Sequence, residues 1–302
     1  MRSIGMDVHR SFAQVAIFEN GQVAETLRVE MEYEAVLAFA RNLRKTDEVV
    51  LEATGNTAAI VRLLSPFVAR VVIANPMQVK AIAHARVKTD KVDARILAQL
   101  HAAGFLPEVW AADDATLNLR RLVCERAATV RTIRRLKSRV QAVLHANLIP
   151  KYAGHLFGNG GRKWLSRVPL PKTERDLLRR HLDELDWMNK KLEKLETALI
   201  RISLDDPRAR KLMTVAGISS VIATAVLAAI GDISRFLTPE SLASYFGLTP
   251  RVRQSGNHRP IHGRISKQGN MTARTMLVEA AWGAASAPGP LRAFFLRIKD
   301  RK

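Results

Sequence analysis

Between Ser3 and Met31 the chain carries three short β-rich runs in succession: SIGMDVH, FAQVAIF and VAETLRVEM. The turn-forming ENGQ (Glu19–Gln22) joins the last two. YEAVLAFARNLR (Tyr33–Arg44) then has the apolar spacing of a helix, and EVVLEAT (Glu48–Thr54) reads as a buried strand. TAAIVRLLSPF returns to helix, and RVVIANP (Arg70–Pro76) is a last strand stopped by proline. One long helix is predicted over MQVKAIAHARVKTDKVDARILAQLHAAG. Three consecutive strands followed by helix–strand alternation leave little choice but an α/β domain, a mixed sheet flanked by helices.

After Gly104 the pattern becomes helical. Leu119, Leu122, Ile133, Leu136, Val140 and Val143 fall on three- and four-residue steps, a heptad seam interrupted at Arg126 and Thr129. A second seam runs through Leu185, Met188, Leu192, Leu195, Leu199 and Ile202. The two predict a coiled-coil hairpin or a dimerisation arm. GNGGRK (Gly158–Lys163) reads as the linker between them. It follows no strand and lacks the Gly-Lys-Ser/Thr ending, so no ATP site is expected. Beyond Pro207 the signals are short helices. VAGISSVIATAVLAAIGD (Val215–Asp232) suggests a helix–hairpin–helix-like element or an ordinary apolar pair, and Thr238 and Pro239 mark a helix start. Thr249–Asn270 reads as an exposed basic loop system.

Composition narrows the partners. Among 302 residues, 48 Lys and Arg face 28 Asp and Glu, a net charge of +20, which on a folded chain points to a polyanion, most simply nucleic acid. Cys124 is the lone cysteine, so no intrachain disulfide forms and a reducing cytosol fits. The longest apolar stretch, Val221–Gly231, is far short of the roughly 20 residues of a membrane span. No leader pattern precedes the first strand, and a cytoplasmic protein, nucleoid-associated when bound and without membrane contact, is expected.

Four acids stand out. Asp7 lies inside the first strand, where a carboxylate is costly unless paired, for instance with Arg10, or metal-bound. Glu52 closes the strand at LEATGN. Asp90 and Asp93, in VKTDKVDAR, share a helix face and repel each other. Lysines around a solvated pair, or a divalent cation between the acids, would hold them. Mg²⁺ prefers carboxylate oxygen and suits a site without cysteine or a required histidine.

GMDVHR, LEATGN and NPMQVKAIAHARVKTDKVDARILAQ together resemble the N-terminal domain of the DEDD transposases of bacterial insertion sequences. GISSVIATAVLAAIGD and FLTPESLASYFGLTPRVRQSGNHRPIHGRISKQGNMTAR are similar to that family's C-terminal domain. The resemblance implies an RNase H-like (RuvC-like) mixed-sheet nuclease domain at 1–110, a basic coiled-coil arm at 111–205 and a small, mostly helical transposase domain at 206–302. It implies Asp7, Glu52, Asp90 and Asp93 as a quartet for two Mg²⁺ ions, with Mn²⁺ able to substitute. It further implies a serine nucleophile. Counting back from ISKQGN places it at Ser255, in RQSGNHRP, with Ser266 the weaker rival; the family's small-polar pair and glycine pair are here one serine and Gly-Asn. Members also continue past a segment like FFLRIKDRK into another helix, so a frayed basic tail is expected before Lys302.

Donor and target DNA, and an element-encoded guide RNA, are the partners the resemblance implies. Lys88, Lys91, Arg120, Arg131, Arg134, Arg135, Arg251, Arg253, His258, Arg259 and Lys267 are the expected nucleic-acid contacts. Recombination joins two duplexes, which predicts a homodimer or homotetramer. Two other readings stay open: a structure-selective two-metal nuclease in which Ser255 only contacts phosphate, and a non-catalytic nucleic-acid binder.

Overall fold

In the computed structural model, the three opening runs form β1 (Ser3–Val8), β2 (Phe12–Glu19) and β3 (Gln22–Glu30), an antiparallel meander. Residues 2–82, 89–256 and 259–301 are described. The second turn has two central residues, Asn20 and Gly21, at φ 53° and 82°. That is the left-handed pair a tight hairpin requires, supplied by the residue types that tolerate it. There follow α1 (Tyr33–Arg41), β4 (Glu48–Glu52), α2 (Thr57–Leu64), β5 (Arg70–Ala74), α3 (Pro76–Ile82), α4 (Asp90–Ala102) and β6 (Glu108–Val109). The sheet order is β3-β2-β1-β4-β5-β6, with β1, β4 and β5 mutually parallel and the other pairs antiparallel.

Strand alternation sends Ile4, Met6, Val49 and Leu51 to one face, where Val36, Phe39, Ile60 and Leu64 from α1 and α2 cover them. The other face carries Val50, Val72 and Ala74, packed against Val79 of α3 and Leu97 of α4. Each such apolar side chain contributes about 1.5–3 kcal/mol on full burial. The sheet can therefore hold a partly buried carboxylate that costs a few kcal/mol.

The predicted single helix is in fact two. Thr89 is extended, at φ −140°, and its Oγ accepts from Val92 N–H, so α4 begins at Asp90. Residues 83–88 lie outside the described residues. The two-residue β6, paired to β5 through Ile73 and Val109, is also additional to the sequence reading.

The chain divides into two compact units, Met1–Ala111 and Ala112–Lys302. The second contains α5 (Asp114–Ala146), α6 (Asn159–Leu165), α7 (Lys172–Asp205), α8 (Pro207–Met213), α9 (Ser220–Ile230), a 3-10 turn at Ile233–Arg235, α10 (Pro239–Tyr245), β7 (Pro250–Arg253), β8 (Ile261–Ile265), α11 (Met271–Ser286) and α12 (Pro290–Lys299). α5 and α7 pair antiparallel within the chain. Ile133 and Leu136 meet Leu185, and nearer the start of α5 Lys191 bridges Glu125 at 2.8 Å. The seam's irregular residues are accounted for locally: Arg126 reaches Glu196 at 2.6 Å, and Thr129 donates to its own helix at Glu125 O.

Three expectations change here. The GNGGRK linker is helical, as α6, and its buried Gly161 lies so close to Leu156 O that a Cβ would sit 2.1 Å from it. The tail is helical through Lys299, not frayed. The loop system contains an exposed two-stranded ribbon, β7–β8. The helix start at Thr238 is a full capping box with Ser241, as its residue types dictate. Gly217, in the turn before α9, has φ 88° and rests on α11, where a Cβ would lie 2.1 Å from Ala280 O. Close helix packing accounts for that glycine. No described helix is long and apolar enough to cross a membrane.

Candidate metal site and the basic surfaces

The acid cluster follows from how α4 crosses β1. Strand residues two apart share a face and advance about 6.7 Å; helix residues four apart advance about 6 Å. The two ladders match. Ser3 Oγ donates to Ala98 O at 3.0 Å, and Gly5 touches the helix backbone so closely that a Cβ would lie 2.0 Å from Ala94 O. Two residues on along the strand and four back along the helix, Asp7 meets Asp90. Gly5 is thus the residue that lets the helix lie flat enough to bring its first turn to the strand's end.

His9 links the two acids. Its Nε2 lies 3.2 Å from Asp7 Oδ2 and 3.3 Å from Asp90 Oδ2. The ring is held by a tilted contact with Phe12, centroids 4.8 Å apart, and by the turn hydrogen bond from His9 N–H to Phe12 O. Burial, above all, pushes the Asp7 carboxyl above the ordinary range. His9 draws it back, while Asp93 and Asp90 push it further up. The side chain of Asp7 is 17% exposed and that of Asp90 49%, so the cluster opens to solvent on the helix side.

Asp90 and Asp93 both stand in the first turn of α4, where the helix dipole and unpaired N–H groups favour negative charge. The sequence reading set them mid-helix and missed this support. Glu52 follows Leu51, which pairs with Met6. Continuing that register by one step sets Glu52 beside Asp7, on the same face of the sheet. It is partly buried at the strand's end.

Asp7, His9 and Asp90 each offer a ligand atom, all within 4.8 Å of one another. Carboxylate oxygens in the majority suit a hard divalent cation, and an imidazole nitrogen adds a donor that transition ions accept more readily than Mg²⁺. These residues fit a divalent ion. His9 is the site residue that sequence reasoning left out, although Asp-x-His at a strand end was there to be read.

The expected contacts fall out differently. Lys91 is exposed on α4. Arg131, Arg134 and Arg135 are exposed along α5. Arg120 is not part of that stripe: its Nε donates to Ala228 O at 2.8 Å and an Nη to Ala229 O at 3.2 Å, closing the C-terminus of α9. Carbonyls left unpaired at that helix end hold the guanidinium there. Ser255 stands exposed just beyond β7, and Arg251, Arg253, Arg259 and Lys267 are exposed on and beside the ribbon. Ser266 is tied in at its base, its N–H donating to Thr249 O. Lys88 and His258 lie outside the described residues.

An acid-lined end of a mixed α/β sheet, joined in one chain to basic helices and an exposed basic ribbon, is the equipment of a DNA-processing enzyme. Two family models match in chain order: a DEDD transposase model described as "Transposase", over residues 4–148, and "Transposase IS116/IS110/IS902 family", over residues 209–296. The chain belongs to this family of insertion-sequence DNA transposases. The Sinorhizobium fredii protein y4qE, named as a transposase, is 29% identical over 92% of this chain and 70% of its own length. The transposase for insertion sequence element IS1111A of Coxiella burnetii is 26% identical over 93% of this chain and 77% of its own. A pilin gene-inverting protein of Moraxella bovis is 30% identical over 62% of this chain and 51% of its own. Such membership implies DNA substrates and the use of a divalent metal.

Proposed function

We propose that this transposase cuts and rejoins DNA strands for insertion-sequence movement, with Asp7, Glu52, Asp90 and Asp93 as its metal-binding quartet and Ser255 as its nucleophile. The observation that carries the reading is the meeting of Asp7 and Asp90 at His9, with burial first and then the charges of Asp93 and Asp90 raising the Asp7 pKa. Acids this close repel unless a cation or protons lie among them. The bound ions, Mg²⁺ or Mn²⁺, would stabilise charge developing on the phosphate. The sheet order supports an RNase H-like, RuvC-like domain at 1–110, and the α5–α7 pair supports a coiled-coil arm within 111–205, followed by the transposase domain at 206–302.

Ser255 Oγ forms a bond to phosphorus as the phosphodiester P–O bond breaks, releasing a deoxyribose hydroxyl. Because the phosphoester is kept as a serine linkage, rejoining needs no nucleotide. Inversion, which the Moraxella relative's name describes, requires rejoined ends, and this favours covalent exchange over hydrolysis. A guide RNA pairing with donor and target DNA, and a dimer or tetramer holding the duplexes, complete the proposal.

The test is covalent trapping. Wild-type protein incubated with DNA ends of its element and Mg²⁺ should yield a protein–DNA adduct that Ser255→Ala lacks. Cleavage to free phosphate ends in both proteins would defeat the serine assignment and leave a plain nuclease.

A further inference from the structure

The ribbon β7–β8 is held rigidly at its base and left bare along its stem. Gly247 (φ 68°) and Gly269 (φ 123°) bring backbone onto backbone: a Cβ would lie 2.2 Å from Gln268 O in one case and 2.1 Å from Tyr245 O in the other. Lys267 N–H donates to Gly247 O, and Arg251 donates to Ser266 O. Above that base every residue of both strands is exposed, including the apolar Val252 and Ile261 at 54% and 71%. Thr249–Asn270 carries Arg251, Arg253, Arg259, Arg264 and Lys267 and no acid.

The two faces differ. Register pairs Arg253 with Ile261 and Val252 with His262. Arg253 and Ile261 therefore share one face and Val252 and His262 the other; nearer the base the register slips by one residue between Val252–His262 and Pro250–Ile265. Gly263 falls within that slip, as a strand glycine commonly does.

We propose that this ribbon is a groove-inserting finger, its Arg253/Ile261 face entering the major groove of double-stranded DNA. A two-stranded ribbon fits the B-form major groove, about 12 Å wide, whereas the A-form RNA major groove is too deep and narrow to admit one. An arginine suits guanine edges and phosphates, and an exposed isoleucine suits thymine methyls. The inference deepens the proposed function: the finger sets Ser255, just beyond β7, against the backbone. Groove entry itself does not depend on Ser255 being a nucleophile.

Binding is measured with full-length Asp90→Asn protein in EDTA, so that strand cutting plays no part. The probes are three pools of randomised duplex: plain DNA, DNA with glucosylated hydroxymethylcytosine filling the major groove, and plain DNA saturated with a minor-groove drug. Glucosylation is expected to weaken binding about tenfold or more, with the drug having little effect. On plain DNA, Ile261→Ala should lose more affinity than Val252→Ala, and Arg253→Ala more than His262→Ala, each control being on the opposite face, and this excess should vanish on glucosylated DNA. Equal affinity for glucosylated and plain DNA, equal loss from both faces, or a preference for double-stranded RNA would each overturn the proposal.

Discussion

Two sets of aspartates in this chain behave oppositely. In the first unit, Asp7 faces Asp90 and Asp93, and its pKa is raised by burial and by those neighbours against the pull of His9. In the second, Asp113, Asp206 and Asp232 cap α5, α8 and the 3-10 turn, each accepting a backbone N–H. All three have lowered pKa values. Backbone donation from Thr116 leads for Asp113, the Arg208 side chain for Asp206, and the Ser234 hydroxyl for Asp232. A carboxylate that accepts from donors of its own fold has no need of a cation; one crowded by other acids is left wanting positive charge. The contrast separates carboxylates that build the structure from those available to a metal.

The largest expected effect breaks the first set. Asp90→Asn or Asp7→Asn should reduce metal-dependent strand cleavage at least a hundredfold, since metal stabilisation of phosphoryl transfer is worth several kcal/mol. A gel assay of cleaved DNA reads this, and near-normal cleavage by either variant would remove the acid from the site.

Next is Gly5→Ala. Its methyl would be driven into the α4 backbone, so overpacking should cost about 1–3 kcal/mol and lift Asp90 away from Asp7. Metal should then no longer raise the melting temperature, whereas in the wild type a divalent ion at a hundred times its Kd stabilises by about 2.7 kcal/mol. A metal response unchanged in Gly5→Ala would mean that α4 does not set the cluster.

The pH dependence sharpens the comparison, because the two sets have opposite signs. With its folded pKa raised, Asp7 favours the folded state below the ordinary carboxylate value, and that contribution is lost as pH rises through the folded pKa. In EDTA, Asp7→Asn should therefore melt higher than wild type near neutrality and lose part of the downward slope. Asp206, with its pKa lowered, stabilises above the ordinary value, and the contribution is lost as pH falls through its folded pKa. Melting curves across the acid range test both signs together.

The smallest effect is Asp206→Ala, which removes the cap of α8 and should cost about 1 kcal/mol, with no change in metal response. A metal response that changed with Asp206 would dissolve the distinction.

Much of the architecture was legible because it depends on local pattern. Short β-rich and apolar runs announced the first five strands, Asn-Gly the hairpin between β2 and β3, and heptad steps the α5–α7 pair. The misses have equally physical causes. The interruption before α4 lies at Thr89, an ordinary helix residue by propensity whose role as a cap appears only in the fold. β7 and β8 bury nothing, so they carry no hydrophobic alternation to read. α6 is specified less by helix-forming residues than by Gly161 fitting under Leu156.

The site divides in the same way. Residue type alone marked Asp7, Glu52, Asp90 and Asp93 as acids in costly places, since a carboxylate in a strand or beside its like must be compensated somewhere. Which acids meet was decided by the crossing of α4 over β1, where matched strand and helix repeats bring 98, 94 and 90 past 3, 5 and 7. The same crossing brought His9 between Asp7 and Asp90, and the open C-terminus of α9 drew Arg120 out of the basic stripe. Charge and pattern travel with the chain; proximity between distant residues is a property of packing, which no single segment contains.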